Sequence, residues 1–166
     1  MNKVWAPWRM DFIEDVRGKS PTECVFCDIL KHNVDREKLI LHHGTLASVV
    51  MNKYPYTNGH LLVMPKRHIA ELHDLTRDEH AEMMALMAAS IPILRNVLGA
   101  QGINCGLNLG KVAGAGILDH VHFHIVPRWV GDSNFFPVIA ETRSIPEYVQ
   151  KTYDRLIGEF QKMGEI

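Results

Sequence analysis

The chain has 166 residues and a mass of 18.9 kDa, which is the size of one ordinary domain. Lysine and arginine number 18 against 19 for aspartate and glutamate, and the formal net charge of −1 argues against a general binder of nucleic acids or anionic membranes. A hydrophobic content of 46% excludes disorder for most of the chain, and no apolar run approaches the roughly 20 residues that span a bilayer. With three cysteines and no apolar leader segment, the expected location is the cytoplasm.

The first 23 residues are predicted to form an irregular arm over the domain, because Trp5 and Trp8 would otherwise be exposed apolar surface. A short helix is expected over residues 27–32. The chain then alternates apolar segments with a turn rich in proline and glycine. Strands are predicted over 39–41, 46–51 and 60–64, the last ended by Pro65, and the turn over 54–59. This order predicts an antiparallel meander.

The clearest helix is predicted after Thr76, because Thr76 and Glu79 have the spacing of a capping box. Apolar residues follow every three or four positions as far as Gly99, which favours a helix end, and Pro92 predicts a kink. The remaining predicted elements are a strand over 104–109, a loop with three glycines over 110–119, a strand over 120–126 ended by Pro127, and a last helix over about 144–163 with Pro146 at an early position. The whole predicts one α+β domain on an antiparallel sheet.

Three of the ten histidines occupy alternate positions, His120, His122 and His124. Side chains on a strand alternate faces, so the three imidazoles are expected on one face and the apolar residues between them in the core. One alternative is a solvated face that happens to be rich in histidine. Another is a catalytic zinc site with all three as ligands, but residues four apart on a strand lie roughly 13 Å apart, too far to reach one ion. The three histidines are therefore expected to have different tasks.

This run resembles the signature of the histidine triad (HIT) family, in which three histidines alternate with apolar residues. Residues 50–52 and 59–68 are similar to the ribose-binding strand of that family and the segment after it, and Pro127-Arg128-Trp129 resembles its branch of diadenosine polyphosphate hydrolases and phosphorylases. The resemblance covers roughly residues 24–128. It implies a HIT-like fold, an antiparallel sheet with a long helix and a C-terminal helix. The implied division is an arm over 1–23, a HIT domain over 24–130 and an extension over 131–166 packed on it.

The resemblance also implies the chemistry. His122 would attack the α-phosphorus of a dinucleoside polyphosphate, such as diadenosine tetraphosphate, and form a nucleotidyl-histidine, for which neutral imidazole is a competent nucleophile. His124 would hydrogen-bond the phosphate, and His60 would lie behind it, unless His60 is simply a core histidine bonded to backbone. The implied substrate contacts come from an asparagine for the ribose, an asparagine for phosphate and two loop glycines: Asn52, Asn108, Gly114 and Gly116.

The glycines of the 110–119 loop allow the backbone to approach a phosphate. The loop lacks the third glycine and the βαβ context of a dinucleotide fingerprint, so no organic cofactor is expected. Ile117 stands where many family members have serine or threonine. This departure weakens the alternative of a nucleoside phosphoramidase, in which such a hydroxyl helps to protonate the leaving amine.

Cys24 and Cys27 have a spacing that, alone, is open between a metal site, a redox pair and chance. The resemblance implies that both cysteines, with His68 and His120, hold one structural zinc ion per chain. Cys105 is interpreted as a core residue of its strand.

The resemblance implies an adenine nucleotide as substrate and a homodimer formed through the 104–109 strand and the 77–98 helix. The charge balance and the lack of a membrane-spanning run predict no nucleic-acid or membrane partner. A nucleotide-binding module with vestigial catalysis stays open as an alternative, and so does the choice between hydrolysis and phosphorolysis.

Overall fold

In the computed structural model, residues 24–132 and 145–164 are described. The predicted arm over 1–23 lies outside the described residues. The elements in chain order are α1 (Val25–Leu30), β1 (Ile40–His43), β2 (Ala47–Met51), β3 (Leu61–Pro65), α2 (Arg77–Leu98), β4 (Gly102–Gly106), β5 (Phe123–Arg128) and α3 (Val149–Gln161), with 3-10 turns at Leu72–Asp74 and Lys111–Ala113.

The five strands form one antiparallel sheet in the order β1-β2-β3-β5-β4. The first three make the predicted meander, and the predicted α+β class with an antiparallel sheet is confirmed. β5 lies between β3 and β4, with His124 opposite Leu62 in the register. This placement brings the histidine segment beside the start of β3, which His60 precedes.

Both faces of the sheet are apolar near its centre. In β3, Leu61 and Val63 belong to the main core, while Leu62 and Met64 belong to a second cluster with Phe26 of α1. Strands buried on both faces read as continuous apolar runs, as β2 and β3 do. Helices α2 and α3 contact each other and the strands of the meander.

The capping box that begins α2 is confirmed. The Thr76 hydroxyl accepts a hydrogen bond from the Glu79 amide at 3.2 Å, and the Glu79 carboxylate accepts one from the Thr76 amide at 2.7 Å. The helix continues through Pro92 and ends at Gly99, whose φ of 66° is left-handed. By length and composition α2 could cross a membrane, but Met83 and Leu86 lie in the core, as in the core helix of a folded domain.

Several predicted boundaries are wrong. Strand β4 covers Gly102–Gly106 rather than 104–109, and α1 covers Val25–Leu30 rather than 27–32. Helix α3 begins at Val149, so Pro146 precedes it. These ends depend on which partner each backbone group meets, and residue preferences do not contain that information.

The histidine strand also starts later than predicted. Strand β5 covers Phe123–Arg128 and includes Pro127. It starts after Val121 because the Val121 amide donates to the Ile69 carbonyl, beyond the end of β3, and not to a strand of the sheet. Cys105, on one of the two edge strands of the sheet, is exposed and not a core residue.

Candidate active site and metal centre

The His122 ring is held by its own chain. Its Nδ1 lies 2.8 Å from the carbonyl oxygen of His120, and because a carbonyl only accepts, Nδ1 carries the hydrogen. Burial lowers the pKa of His122, so the ring is neutral at pH 7 and Nε2 keeps its lone pair. The buried Phe26 ring packs edge-on against it at 4.8 Å between centroids. His122 therefore presents a nucleophilic nitrogen in a fixed orientation.

The tautomer of His60 follows from its neighbours. The backbone N–H of Tyr56 donates to His60 Nδ1 at 3.1 Å, so the hydrogen of the neutral ring is on Nε2. His60 Nε2 lies 2.9 Å from His124 Nδ1 and donates to it. His124 must then carry its own hydrogen on Nε2. The pair is therefore a relay that ends in a hydrogen-bond donor.

Both rings of this relay are neutral at pH 7. Burial, with repulsion from the other imidazoles, lowers the pKa of His60 to about 3 and that of His124 to about 4. The centroids of His122 and His124 lie 5.0 Å apart. A nitrogen with a lone pair and a ring with a donor N–H thus lie side by side, as attack on a phosphate requires.

Asn52 contacts the relay directly, a contact that the sequence did not predict. Its Nδ2 donates to His60 Nδ1 at 3.2 Å, and its Oδ1 accepts from the Tyr54 amide at 2.9 Å. The two bonds assign the amide orientation, since Nδ1 of His60 already acts as an acceptor. Asn52 therefore reinforces the His60 tautomer, whatever else its side chain binds.

Tyr56 and Phe26 are site residues that sequence reasoning missed. The Tyr56 ring, 41% exposed, lies over His60 and His124 at centroid distances of 4.5 and 5.5 Å. The only signals were an aromatic residue four positions before His60 and another between the two cysteines. Neither pattern distinguishes a site aromatic from a core aromatic.

The glycine loop leads into the histidine segment as predicted, with a 3-10 turn at Lys111–Ala113. Gly110 and Gly114 have φ of 81° and 90°, where a side chain would be strained. Among the described hydrogen bonds none joins Asn108 to the histidines. The phosphate contacts of Asn108, Gly114 and Gly116 stay predictions.

The four predicted metal ligands lie together. Their ligand atoms are all within 4.8 Å of one another, with Cys27 Sγ 3.2 Å from His68 Nδ1. The Nδ1 of His120 lies 3.5 and 3.6 Å from the sulfurs of Cys24 and Cys27. A tetrahedral zinc ion spaces its sulfur and nitrogen ligands by about 3.6 Å. The donor set and its spacing fit such an ion.

The orientation of His120 supports this fit. Its Nε2 lies 2.8 Å from the Pro65 carbonyl and donates to it, which leaves the lone pair of Nδ1 facing the thiols. Burial and the neighbouring Cys24 thiol raise the pKa of Cys27. A metal ion bound beside the Cys27 thiol would favour its thiolate form and so offset this shift of the pKa.

Comparisons with known proteins agree with this geometry. The family model described as HIT domain matches residues 34–130. A relative from Mycobacterium tuberculosis named AP-4-A phosphorylase is 38% identical over 169 residues, covering 98% of this chain and 86% of that protein. Another relative, from Schizosaccharomyces pombe and named adenosine 5'-monophosphoramidase, is 32% identical and covers 63% of this chain and 74% of that protein. A solved structure described as a Zn-bound histidine triad family protein from Mycobacterium smegmatis is similar with a TM-score of 0.67 at 26% identity, covering 87% of this chain and 97% of that chain.

Proposed function

The chain belongs to the HIT family, and from this premise we propose that it cleaves a dinucleoside polyphosphate, such as diadenosine tetraphosphate, through a nucleotidyl-histidine on His122. The HIT-like fold is confirmed by the same matches. One observation carries the proposal. The lone pair on His122 Nε2 and the N–H of the neighbouring His124 ring lie side by side in the site. The named phosphorylase relative supports the substrate class.

In the first step, the lone pair of His122 Nε2 forms a bond to the α-phosphorus, and the bond to the bridging oxygen breaks. The leaving ATP takes the electron pair, and as a stable polyphosphate anion it needs no proton. The His124 N–H hydrogen-bonds the developing charge, which is electrostatic stabilisation of the transition state. His122 becomes cationic, and the His120 carbonyl on its Nδ1–H stabilises that charge.

In the second step, inorganic phosphate attacks the AMP group, forms ADP and returns the electron pair to His122. The relative named AP-4-A phosphorylase supports phosphate over water as acceptor. Ile117 packs with the apolar cluster around Phe26, so this position offers no hydroxyl to a leaving amine. A polyphosphate leaving group therefore suits this site better than an amine.

The proposal includes a structural zinc ion held by Cys24, Cys27, His68 and His120, supported by the spacing of their ligand atoms. When bound, zinc would supply a closed cross-link between the start of α1 and the histidine segment. The thiolates that it requires are maintained in a reducing compartment, which supports a cytoplasmic location.

A homodimer is also proposed, through β4 and the outer side of α2. β4 is an edge strand with Asn104 and Cys105 exposed, and Met84 on α2 is 56% exposed. Pairing of two edges removes the unpaired strand. Light scattering at micromolar concentration should give twice 18.9 kDa, and Met84→Glu should shift the mass toward one chain. A wild-type mass of one chain would refute the dimer.

Incubation with diadenosine tetraphosphate, with and without inorganic phosphate, tests the activity. Phosphate-dependent formation of ADP and ATP is the expected result. Formation of AMP and ATP would instead identify the reaction as hydrolysis. A parallel incubation with adenosine 5'-phosphoramidate should be much slower, and faster turnover of that compound would overturn the substrate assignment.

A further inference from the structure

We propose that helix α3 and the segment that leads into it position the His60–His124 relay, through contacts of Thr152 in the helix and Glu147 before it with Asn58 in the turn that precedes His60. The proposal rests on the proposed function for the task of the relay in catalysis. Helix α3 lies beyond the residues 34–130 that match the HIT domain model. The residues that contact Asn58 therefore lie outside the matched domain, whereas Asn58 itself lies within it.

The contacts form a compact polar network. Asn58 Nδ2 donates to Glu147 Oε2 at 3.3 Å. The Thr152 hydroxyl lies 2.7 Å from the same Glu147 oxygen and 3.0 Å from Asn58 Oδ1, and Thr152 is fully buried. Arg155 donates to Glu147 Oε2 at 3.2 Å and to the Val97 carbonyl at 2.8 Å. Glu147 is therefore held from three sides, and Asn58 is held by it.

The turn carries this restraint to the relay. Tyr56, two residues before Asn58, supplies the backbone N–H on His60 Nδ1 and the ring over His124. Between them, Thr57 donates to the Pro127 carbonyl of β5 at 2.9 Å. A shift of the turn would remove one of the two donors that select the His60 tautomer. In the other tautomer His60 would have no hydrogen to donate to His124.

Helix α3 does not need Asn58 for its own anchorage. Tyr153, Leu156 and Phe160 are buried in the core, and Asp154 pairs with Arg36 at 2.6 Å on another side of the helix. The helix is thus a fixed support, and the turn is the part that the network restrains.

Replacement of Asn58 by aspartate tests this assignment, because it keeps the size of the side chain but sets a second carboxylate against Glu147. We expect kcat for diadenosine tetraphosphate to fall about tenfold or more, since small displacements of catalytic groups have large costs, while KM changes by less than about twofold. Addition of Glu147→Gln should restore much of the rate, because an amide again faces a carboxylate. The imidazole ¹⁵N shifts of His60 and His124 should change in Asn58→Asp and return in the double variant.

Asp154→Asn is the matched control, since it removes the negative charge of an ion pair on the same helix away from the turn. It should leave kcat and the imidazole shifts unchanged. If Asn58→Asp does not fold, Thr152→Val removes the central hydroxyl without adding charge and should give the same changes with smaller amplitude. Wild-type shifts and kcat in a folded Asn58→Asp, or in Thr152→Val, would overturn the proposal, and so would an equal loss in Asp154→Asn. An inactive wild type would refute the proposed function, and the ¹⁵N comparison would still decide the positioning role.

Discussion

His120 and His122 are two residues apart, both are buried, and each uses one ring nitrogen on a backbone carbonyl. The difference is which nitrogen is used. His120 donates to the Pro65 carbonyl through Nε2 and its Nδ1 faces the two sulfurs, whereas His122 donates to the His120 carbonyl through Nδ1 and its Nε2 keeps the lone pair. By selecting the tautomer, the carbonyl acceptor leaves Nδ1 of one imidazole for the proposed metal ion and Nε2 of the other for the proposed nucleophilic attack.

The two rings also have different neighbours. The free nitrogen of His120 faces thiols, while the His122 ring lies beside the relay of His124 and His60. Phe26 separates the two environments, with its ring 5.7 Å from that of His120 and 4.8 Å from that of His122. A single aromatic side chain from α1 thus contacts both the proposed metal ligand and the proposed nucleophile.

The largest expected effect comes from His122→Ala. Loss of the nucleophile should lower kcat by at least about a thousandfold. Nucleotide affinity should stay within about tenfold, because ribose and phosphate contacts remain. Wild type incubated with labelled substrate should trap an acid-labile, base-stable adduct. An adduct of the same amount in His122→Ala would show that another residue is the nucleophile.

Cys24→Ser tests the proposed zinc site, which includes His120. Metal analysis should find about one zinc ion per wild-type chain and much less in the variant, with a lower melting temperature, because metal binding contributes to folding. Cys105→Ser is the matched control for the loss of a thiol, since Cys105 is not one of the four predicted ligands, and its zinc content should equal that of wild type. Wild-type protein that is free of metal and equally stable would contradict the zinc site.

The relay makes stability depend on pH. The pKa values of about 3 for His60 and about 4 for His124 lie below the ordinary value of 6.5, so the unfolded chain binds protons first. The contribution of the two neutral rings to the free energy of unfolding should be fully present above about pH 6.5 and should decline as the pH falls toward about 3. Urea unfolding at several pH values, with chelator throughout, measures the decline. In His60→Asn the free energy of unfolding should decline less steeply with falling pH. A decline identical to that of wild type would show that the relay is not the cause of the pH dependence.

The smallest effect is expected for substitution of Tyr56, whose ring lies over His60 and His124. Tyr56→Leu removes the ring contacts with His60 and His124 and should lower kcat about threefold to tenfold, the value of an aromatic contact. Tyr56→Phe keeps the ring and should stay within about twofold of wild type. A loss in Tyr56→Phe as large as in Tyr56→Leu would assign the effect to the hydroxyl instead.

Local patterns in the sequence determined the α+β class, the capping box at Thr76 and the histidines on one strand-like segment. Each of these depends on residues within one turn of helix or a few positions of strand, where spacing alone selects the geometry. The metal ligands and the nucleophile were predicted through the family resemblance, and the structure brings the four predicted ligands together.

Tertiary structure alone decided the tautomers, the exposure of Cys105 and the contact of α3 with the turn before His60. The Pro65 carbonyl lies 55 positions from His120, and Glu147 lies 89 positions from Asn58. Residue spacing contains no information about which backbone group will face a ring nitrogen across such a separation. The same physical limit explains why Cys105 of β4 was wrongly expected in the core, since an apolar strand looks alike in sequence whether or not another element covers it.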